Sequence, residues 1–180
     1  MVTTFRGSEL ETKIIQQLAG RAVAGVKEAG FLADEDTGEI LDYREADDAT
    51  PYEVDFPEAL AKCRSRVCYL HCHCVPSLPG EADWNNIVEL PTVLRYFTVC
   101  ADCVYVMERT PLTRSPYRVS PALIFDHEAL QGWKHSSLSH LPIRQAMTKL
   151  PEEELRGILL SVNWRMSQIY SVNFKEESFA

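Results

Sequence analysis

The 180-residue chain has no long apolar run and few basic residues. No segment approaches the roughly 18 consecutive apolar residues of a transmembrane helix, and the N-terminal MVTTFRGSELETK lacks the apolar core of a signal peptide. Eighteen Lys and Arg against 26 Asp and Glu give a net charge of −8, which argues against nucleic acid or an anionic membrane as the main partner. We therefore expect a cytoplasmic protein with neither kind of partner.

Repeats and low-complexity segments are also lacking, and the composition is that of an ordinary globular protein. A chain of this length can bury a sizeable core without disulfides. In a reducing compartment its six cysteines are expected to be thiols or metal ligands.

The first third of the chain predicts a helix, a hairpin and a second, short helix. SELETKIIQQLAGRAVAGVKE has apolar residues at every fourth position, so we expect it to pack on a sheet through Leu10, Ile14 and Leu18. In GFLADEDTGEILDY, two apolar segments flank a turn-rich DEDTG, as in a β-hairpin. DFPEALAKCRSR follows as a short helix that Asp55 can cap.

Strand patterns dominate the middle of the chain, and a helical pattern dominates its end. VCYLHCHCV, VLRYFTVC and CVYVMER are rich in β-branched and aromatic residues, and PALIF is a candidate strand before a helix capped by Asp126. The segment of residues 141–170 is predicted to be helical, with a restart at Pro151 and an apolar stripe from Leu155 to Ile169. The prediction is an α/β (α+β) fold: a mixed, mostly antiparallel sheet flanked by helices. One domain covers residues 1–135, and a helical C-terminal extension, residues 136–180, packs on it.

Two histidines stand out in YLHCHCVPSLPGEADW. Because strand side chains alternate, His71 and His73 point to the same face. The Pro- and Gly-containing loop that follows can turn Asp83 back towards them. Imidazole nitrogen and carboxylate oxygen are zinc ligands, and catalytic zinc sites use three protein ligands. Two half-exposed strand histidines without a metal are the alternative interpretation.

These residues resemble the signature of the JAMM (MPN-domain) metallopeptidases, in which H-x-H, a short Pro/Ser-rich loop and an aspartate bind zinc. In that family a glutamate between a helix and a strand precedes the histidines; Glu28 in KEAGFLA holds that place. The order of elements agrees over roughly residues 8–108, including YEVDFPEALAKCRSRVCYLHCHC.

The resemblance implies an MPN-like fold and one catalytic Zn²⁺ per chain, held by His71, His73 and Asp83. Glu28 would be the general base, and Ser77 a possible support for the oxyanion. The implied reaction is hydrolysis of a peptide or isopeptide bond in a protein or peptide substrate.

The cysteines leave several interpretations open. C-x-C followed by C-x-x-C can form a structural zinc site from Cys72, Cys74, Cys100 and Cys103. On a strand, however, C-x-C places both thiols opposite the histidines, so one ion cannot easily serve both. Small buried hydrophobic side chains are the simplest interpretation; redox or disulfide chemistry is a third.

A second hypothesis comes from a different class of protein. The chain is then a non-catalytic interaction or scaffold module on an MPN-like fold with a decayed metal site. Gly80 and Cys74, which replace residues usual in the family, favour it. The C-terminal apolar stripe would in that case provide a homo-oligomer seam or a docking surface for a partner.

Overall fold

Six strands form one mixed sheet in a computed structural model that describes residues 4–74, 77–114, 120–141 and 149–179. The strand order is β2-β1-β3-β4-β5-β6; β3 and β4 are parallel, and every other neighbouring pair is antiparallel. The sheet does not close into a barrel, and the α+β class with a mixed, mostly antiparallel sheet is confirmed. The strands are β1 (Ala29–Asp34), β2 (Ile40–Glu45), β3 (Val67–Cys72), β4 (Val93–Val99), β5 (Cys103–Arg109) and β6 (Val172–Ser178).

Helices cover both faces of this sheet. Within the described ranges they are α1 (Glu9–Ala24), α2 (Pro57–Lys62), α3 (Glu81–Glu89), α4 (Pro121–Lys134) and α5 (Glu152–Tyr170). α1 packs on one face and buries Ile14 and Leu18 there. α3, α4 and α5 pack on the other face, where Trp84, Phe125 and Met166 join the core. No helix in the described part of the chain is long and apolar enough to cross a membrane.

Three details of the N-terminal prediction change. Leu10 is 39% exposed and Glu11 takes the inward position, because its carboxylate pairs with buried Arg95. Asp55 does not cap α2 with its side chain; its Oδ1 accepts instead from the N–H of Phe56, at 2.7 Å.

Two changes concern the second half of the chain. PALIF is the start of α4 rather than a strand, because Ser120 and Pro121 form a helix N-terminus with proline at its first position. The C-terminal segment contains the expected helix, α5, but then adds β6, which pairs with β5 at the edge of the sheet. The segment of residues 136–180 is therefore not helical throughout.

Candidate metal centre

The one parallel strand pair determines where the candidate site lies. The connection from β3 to β4 runs through α3, so the N-terminus of α3 meets the end of β3 on the same face of the sheet. His71 lies near the end of β3, and His73 follows its last residue. Asp83 lies in the first turn of α3, where the positive end of the helix dipole favours a carboxylate.

Both imidazoles are oriented through Nδ1. Nδ1 of His71 lies 2.9 Å from the carbonyl oxygen of Phe97, and Nδ1 of His73 lies 3.0 Å from that of Ser77. A carbonyl oxygen can only accept a hydrogen bond, which assigns the proton of His71 to Nδ1 and favours the same tautomer of His73, whose Nδ1 also lies 2.7 Å from the hydroxyl oxygen of Ser77. Each Nε2 then presents a lone pair, as metal-binding histidines do. Burial lowers the pKa of His71 to about 4, and the nearby Asp83 opposes this shift only in part. With a pKa this low, the imidazole is neutral at pH 7.

Asp83 faces both lone pairs. Its Oδ1 lies 3.3 Å from Nε2 of His71, and its Oδ2 lies 3.7 Å from Nε2 of His73. Ligand atoms about 2.0–2.2 Å from a tetrahedral zinc ion are about 3.3–3.6 Å apart, so both spacings are close to those of a zinc site. The carboxylate is itself held by the N–H of Gly80 at 2.7 Å and the hydroxyl of Tyr96 at 2.9 Å.

Glu28 approaches the histidines from β1, which it immediately precedes. Its backbone is fixed on both sides, because its N–H donates to Pro51 and its carbonyl accepts from Ala46, each at 2.9 Å. Glu28, His71 and His73 offer ligand atoms that all lie within 4.8 Å of one another. The side chain is only 6% exposed, and no donor from the described residues pairs with its carboxylate.

Burial is the main reason that the pKa of Glu28 rises to about 8, and the nearby carboxylates of Asp83 and Glu53 raise it further. At pH 7 the carboxyl group therefore holds a proton unless a cation is close. A carboxyl group with a pKa near neutrality can both accept and return a proton under physiological conditions.

Close packing next to His71 requires a glycine. Gly30 pairs with His71 across the β1–β3 ladder. A Cβ atom at Gly30 would lie 3.0 Å from the carbonyl oxygen of Leu70 and 3.3 Å from the Cβ of His71. Gly30 thus lets β1, and with it Glu28, approach the histidine strand.

A cleft of about 770 Å³ opens onto these side chains. Tyr52 and Phe125 contribute aromatic surface to its walls, and Leu159 brings α5 to its edge. Its lining includes no lysine or arginine from the described residues, whereas five lining residues are acidic: Glu28, Glu53, Asp55, Glu81 and Asp83. The potential inside the cleft is therefore negative.

Ser77 lies in the site, but in a different role from the one expected. Its hydroxyl oxygen is 2.7 Å from Nδ1 of His73, on the side of the ring away from Nε2. The hydroxyl and the carbonyl of Ser77 both orient this imidazole. An oxyanion role for Ser77 is not supported by this position.

The cysteines divide between the two faces of the sheet. Cys72 and Cys74 belong to the core under α1, and Cys100 and Cys103 belong to the opposite core. The structure therefore does not gather these two pairs, and the only metal-binding group found in the described ranges is the one at Glu28. All six cysteines are free thiols. Burial raises the pKa of Cys72 and of Cys100 to about 12, as expected of inert core thiols.

Two residues of the site were not predicted. Tyr96 on β4 donates to Asp83, and Asn163 on α5 binds both ends of the segment that carries Asp83. Tyr96 follows the alternation of its strand, but no local pattern reveals that β4 lies beside β3.

No protein-family profile, curated protein or solved structure matches the chain.

Proposed function

We propose that the protein is a zinc-dependent peptidase or isopeptidase of the JAMM (MPN-domain) type, with zinc held by His71, His73 and Asp83. The observation that carries this proposal is the convergence of two Nε2 lone pairs on one carboxylate. Lone pairs and a carboxylate repel one another at these distances unless a cation lies between them. A zinc ion suits this donor set in charge and spacing.

Asp83 is favoured over Glu28 as the third ligand. The oxygens of Asp83 lie 3.3 and 3.7 Å from the two Nε2 atoms, and two hydrogen bonds hold the carboxylate in that position. Glu28 also offers a carboxylate oxygen within 4.8 Å of ligand atoms of both histidines, but its pKa reflects burial and like charges, with no contribution from a hydrogen bond of the described residues that would hold the carboxylate in place. Glu28 therefore fits the role of a base that moves a proton better than that of a fixed ligand.

Each side chain then has a defined part in amide hydrolysis. A zinc ion held by His71, His73 and Asp83 would supply Lewis-acid chemistry and would make a water molecule at this site acidic near neutral pH, with a pKa of about 7. Glu28 accepts the proton of the attacking water on its carboxylate and returns it to the leaving nitrogen. His71 and His73 keep their orientation because their Nδ1–H groups remain bonded to carbonyl oxygens. The cleft of about 770 Å³ that opens onto these side chains would receive the substrate.

Metal analysis combined with peptide cleavage tests the proposal. We expect about one zinc per chain in the purified protein, and loss of both zinc and activity in His71→Ala. Glu28→Gln should retain zinc and lose about 10²–10⁴-fold in turnover, because it cannot accept a proton. Exposed His127 provides the matched control, since His127→Ala should change neither property. Substrates should include isopeptide-linked and linear model peptides.

Zinc binding without cleavage of these model substrates would not decide between enzyme and scaffold. Failure to bind zinc supplied in excess at neutral pH would end the peptidase proposal and favour the scaffold hypothesis, in which the metal site has decayed. In that case charged substitutions at Leu159 should disturb partner binding, and Glu28→Gln should have no effect on it.

A further inference from the structure

Asn163 is a fully buried polar residue in the apolar side of α5. Its exposed fraction is zero, and it lies among core residues such as Val162 and Met166. Its Oδ1 accepts from Nε1 of Trp84 at 2.8 Å, and its Nδ2 donates to the carbonyl oxygen of Pro79 at 3.2 Å. Nδ2 also lies 2.9 Å from the carbonyl oxygen of Leu159, one turn earlier in α5. Both functions of the amide are thus used.

The two distant partners enclose the segment that carries Asp83. Pro79 precedes Gly80, whose N–H holds Oδ2 of Asp83 at 2.7 Å, and Trp84 follows Asp83 directly. One side chain from α5 therefore fixes both ends of a short segment whose middle presents the carboxylate to the histidines.

Packing alone does not call for an amide at this position. A buried amide group costs free energy unless its hydrogen bonds are made, whereas leucine has the same branched arrangement of heavy atoms and suits the neighbouring apolar residues. An amide does what leucine cannot, because it accepts from the indole and donates to the backbone at the same time. These two hydrogen bonds hold the chain from Pro79 to Trp84 in one path.

We propose that Asn163 is a positioning residue for Asp83 and that α5 thereby determines the metal affinity of the site. This inference rests on the proposed function, because it takes Asp83 as a metal ligand. Loss of the two bonds lets the start of α3 shift, and the distances from Asp83 to the two Nε2 atoms shift with it. Residues that orient metal ligands typically change metal affinity about 10- to 100-fold when they are replaced.

The test measures zinc affinity by competition with a chromophoric chelator, together with the visible spectrum of the Co²⁺-substituted protein. Asn163→Leu should weaken zinc binding by about 10- to 100-fold and alter the Co²⁺ bands. Met166→Ala is the matched control, because Met166 is also fully buried in α5 and is not hydrogen-bonded to this segment. It should lower the melting temperature and leave zinc affinity unchanged. Equal weakening by both variants would overturn the inference.

A double-mutant cycle separates this inference from the proposed function. Asp83→Ala retains the two histidines, so its weakened zinc affinity is measured at raised zinc concentration; if Asn163 acts through Asp83, Asn163→Leu should not weaken that remaining affinity further. Strong weakening in Asp83→Ala with wild-type affinity in Asn163→Leu would overturn the inference and leave the proposed function standing. A wild-type protein that binds no zinc would overturn both.

A second variant covers the case in which Asn163→Leu does not fold. Asn163→Asp retains an acceptor for Trp84 and removes the donor to Pro79, so it should also weaken zinc binding. Unchanged affinity in this variant would contradict the inference.

Discussion

The two faces of the sheet bury carboxylates to nearly the same extent but treat them differently. On the α1 face, Glu35 is 5% exposed and receives two hydrogen bonds of 2.8 Å from Arg95, which also pairs with Glu11. On the opposite face, Glu28 and Asp83 are each 6% exposed and face imidazoles instead of a guanidinium. The chain therefore supplies its own cation to the first cluster, whereas no lysine or arginine of the described residues lines the cleft around the second.

This difference separates a structural cluster from a candidate functional one. Buried charge is tolerated when it is paired and hydrogen-bonded, as it is around Arg95. Burial and nearby negative charge raise the pKa of Glu28, and groups with pKa values perturbed in this way concentrate at functional sites. The contrast predicts that the first face stabilises the apo protein and that the second destabilises it until a cation binds.

Removing the cation from the structural face should give the largest effect on stability. Arg95→Ala leaves the carboxylates of Glu35 and Glu11 buried without their partner, which typically costs about 3–5 kcal/mol of unfolding free energy. Urea denaturation measures the loss. Arg66→Ala is the control: Arg66 pairs with Asp36 at the surface, where a pair contributes about 0–1 kcal/mol. Equal losses in both variants would contradict the assigned difference between the clusters.

On the opposite face, removing the charge of Glu28 should stabilise the apo protein, whereas removing the charge of Arg95 destabilises it. The pKa of Glu28 is about 8 in the folded protein and near 4.5 in the unfolded chain. Between these values the folded state binds more protons, so apo-protein stability falls as the pH rises through this window. Glu28→Gln removes this dependence and should stabilise the apo protein by about 1–3 kcal/mol at pH 8.

Urea denaturation of metal-free protein at pH 5 and pH 8 measures this effect. The gain from Glu28→Gln should be present at pH 8 and much smaller at pH 5, because pH 5 lies only just above the pKa of this carboxyl group in the unfolded chain. Glu39→Gln, at an exposed glutamate just before β2, is the matched control. A Glu28→Gln variant less stable than wild type at pH 8 would contradict the picture of a carboxylate without a compensating cation.

Local patterns in the sequence predict those parts of the fold and site that depend on neighbours along the chain. Strand alternation placed His71 and His73 on one face, and turn residues indicated the β1–β2 hairpin. The approach of Glu28 to the histidines was predicted by resemblance alone, because β1 and β3 are distant in sequence. Asn163 could not be predicted, because its partners lie on α3 and the preceding loop.

The missed strand β6 has a local cause. α5 ends at Ser171, which adopts the left-handed conformation with φ 55°, where glycine is the usual residue. Without a glycine or proline the end of the helix has no signal in the sequence. The alternation of β6 is also short, because Val172 and Phe174 are buried and the residues after them are charged or exposed.

The smallest predicted effect tests the electrostatic part of the Glu28 environment. Burial is the main cause of its raised pKa, Asp83 comes next, and exposed Glu53 contributes less. Glu53→Gln should therefore lower the pKa of Glu28 slightly, Asp83→Asn should lower it more, and neither should restore the ordinary value. Carboxyl ¹³C NMR titration measures the pKa of Glu28 in the metal-free wild-type protein and in both variants. Because Glu53 faces solvent, its contribution should shrink at high salt, whereas that of buried Asp83 should persist. A larger shift from Glu53→Gln than from Asp83→Asn would show that the potential of the cleft, and not the packed centre, controls the proton on Glu28.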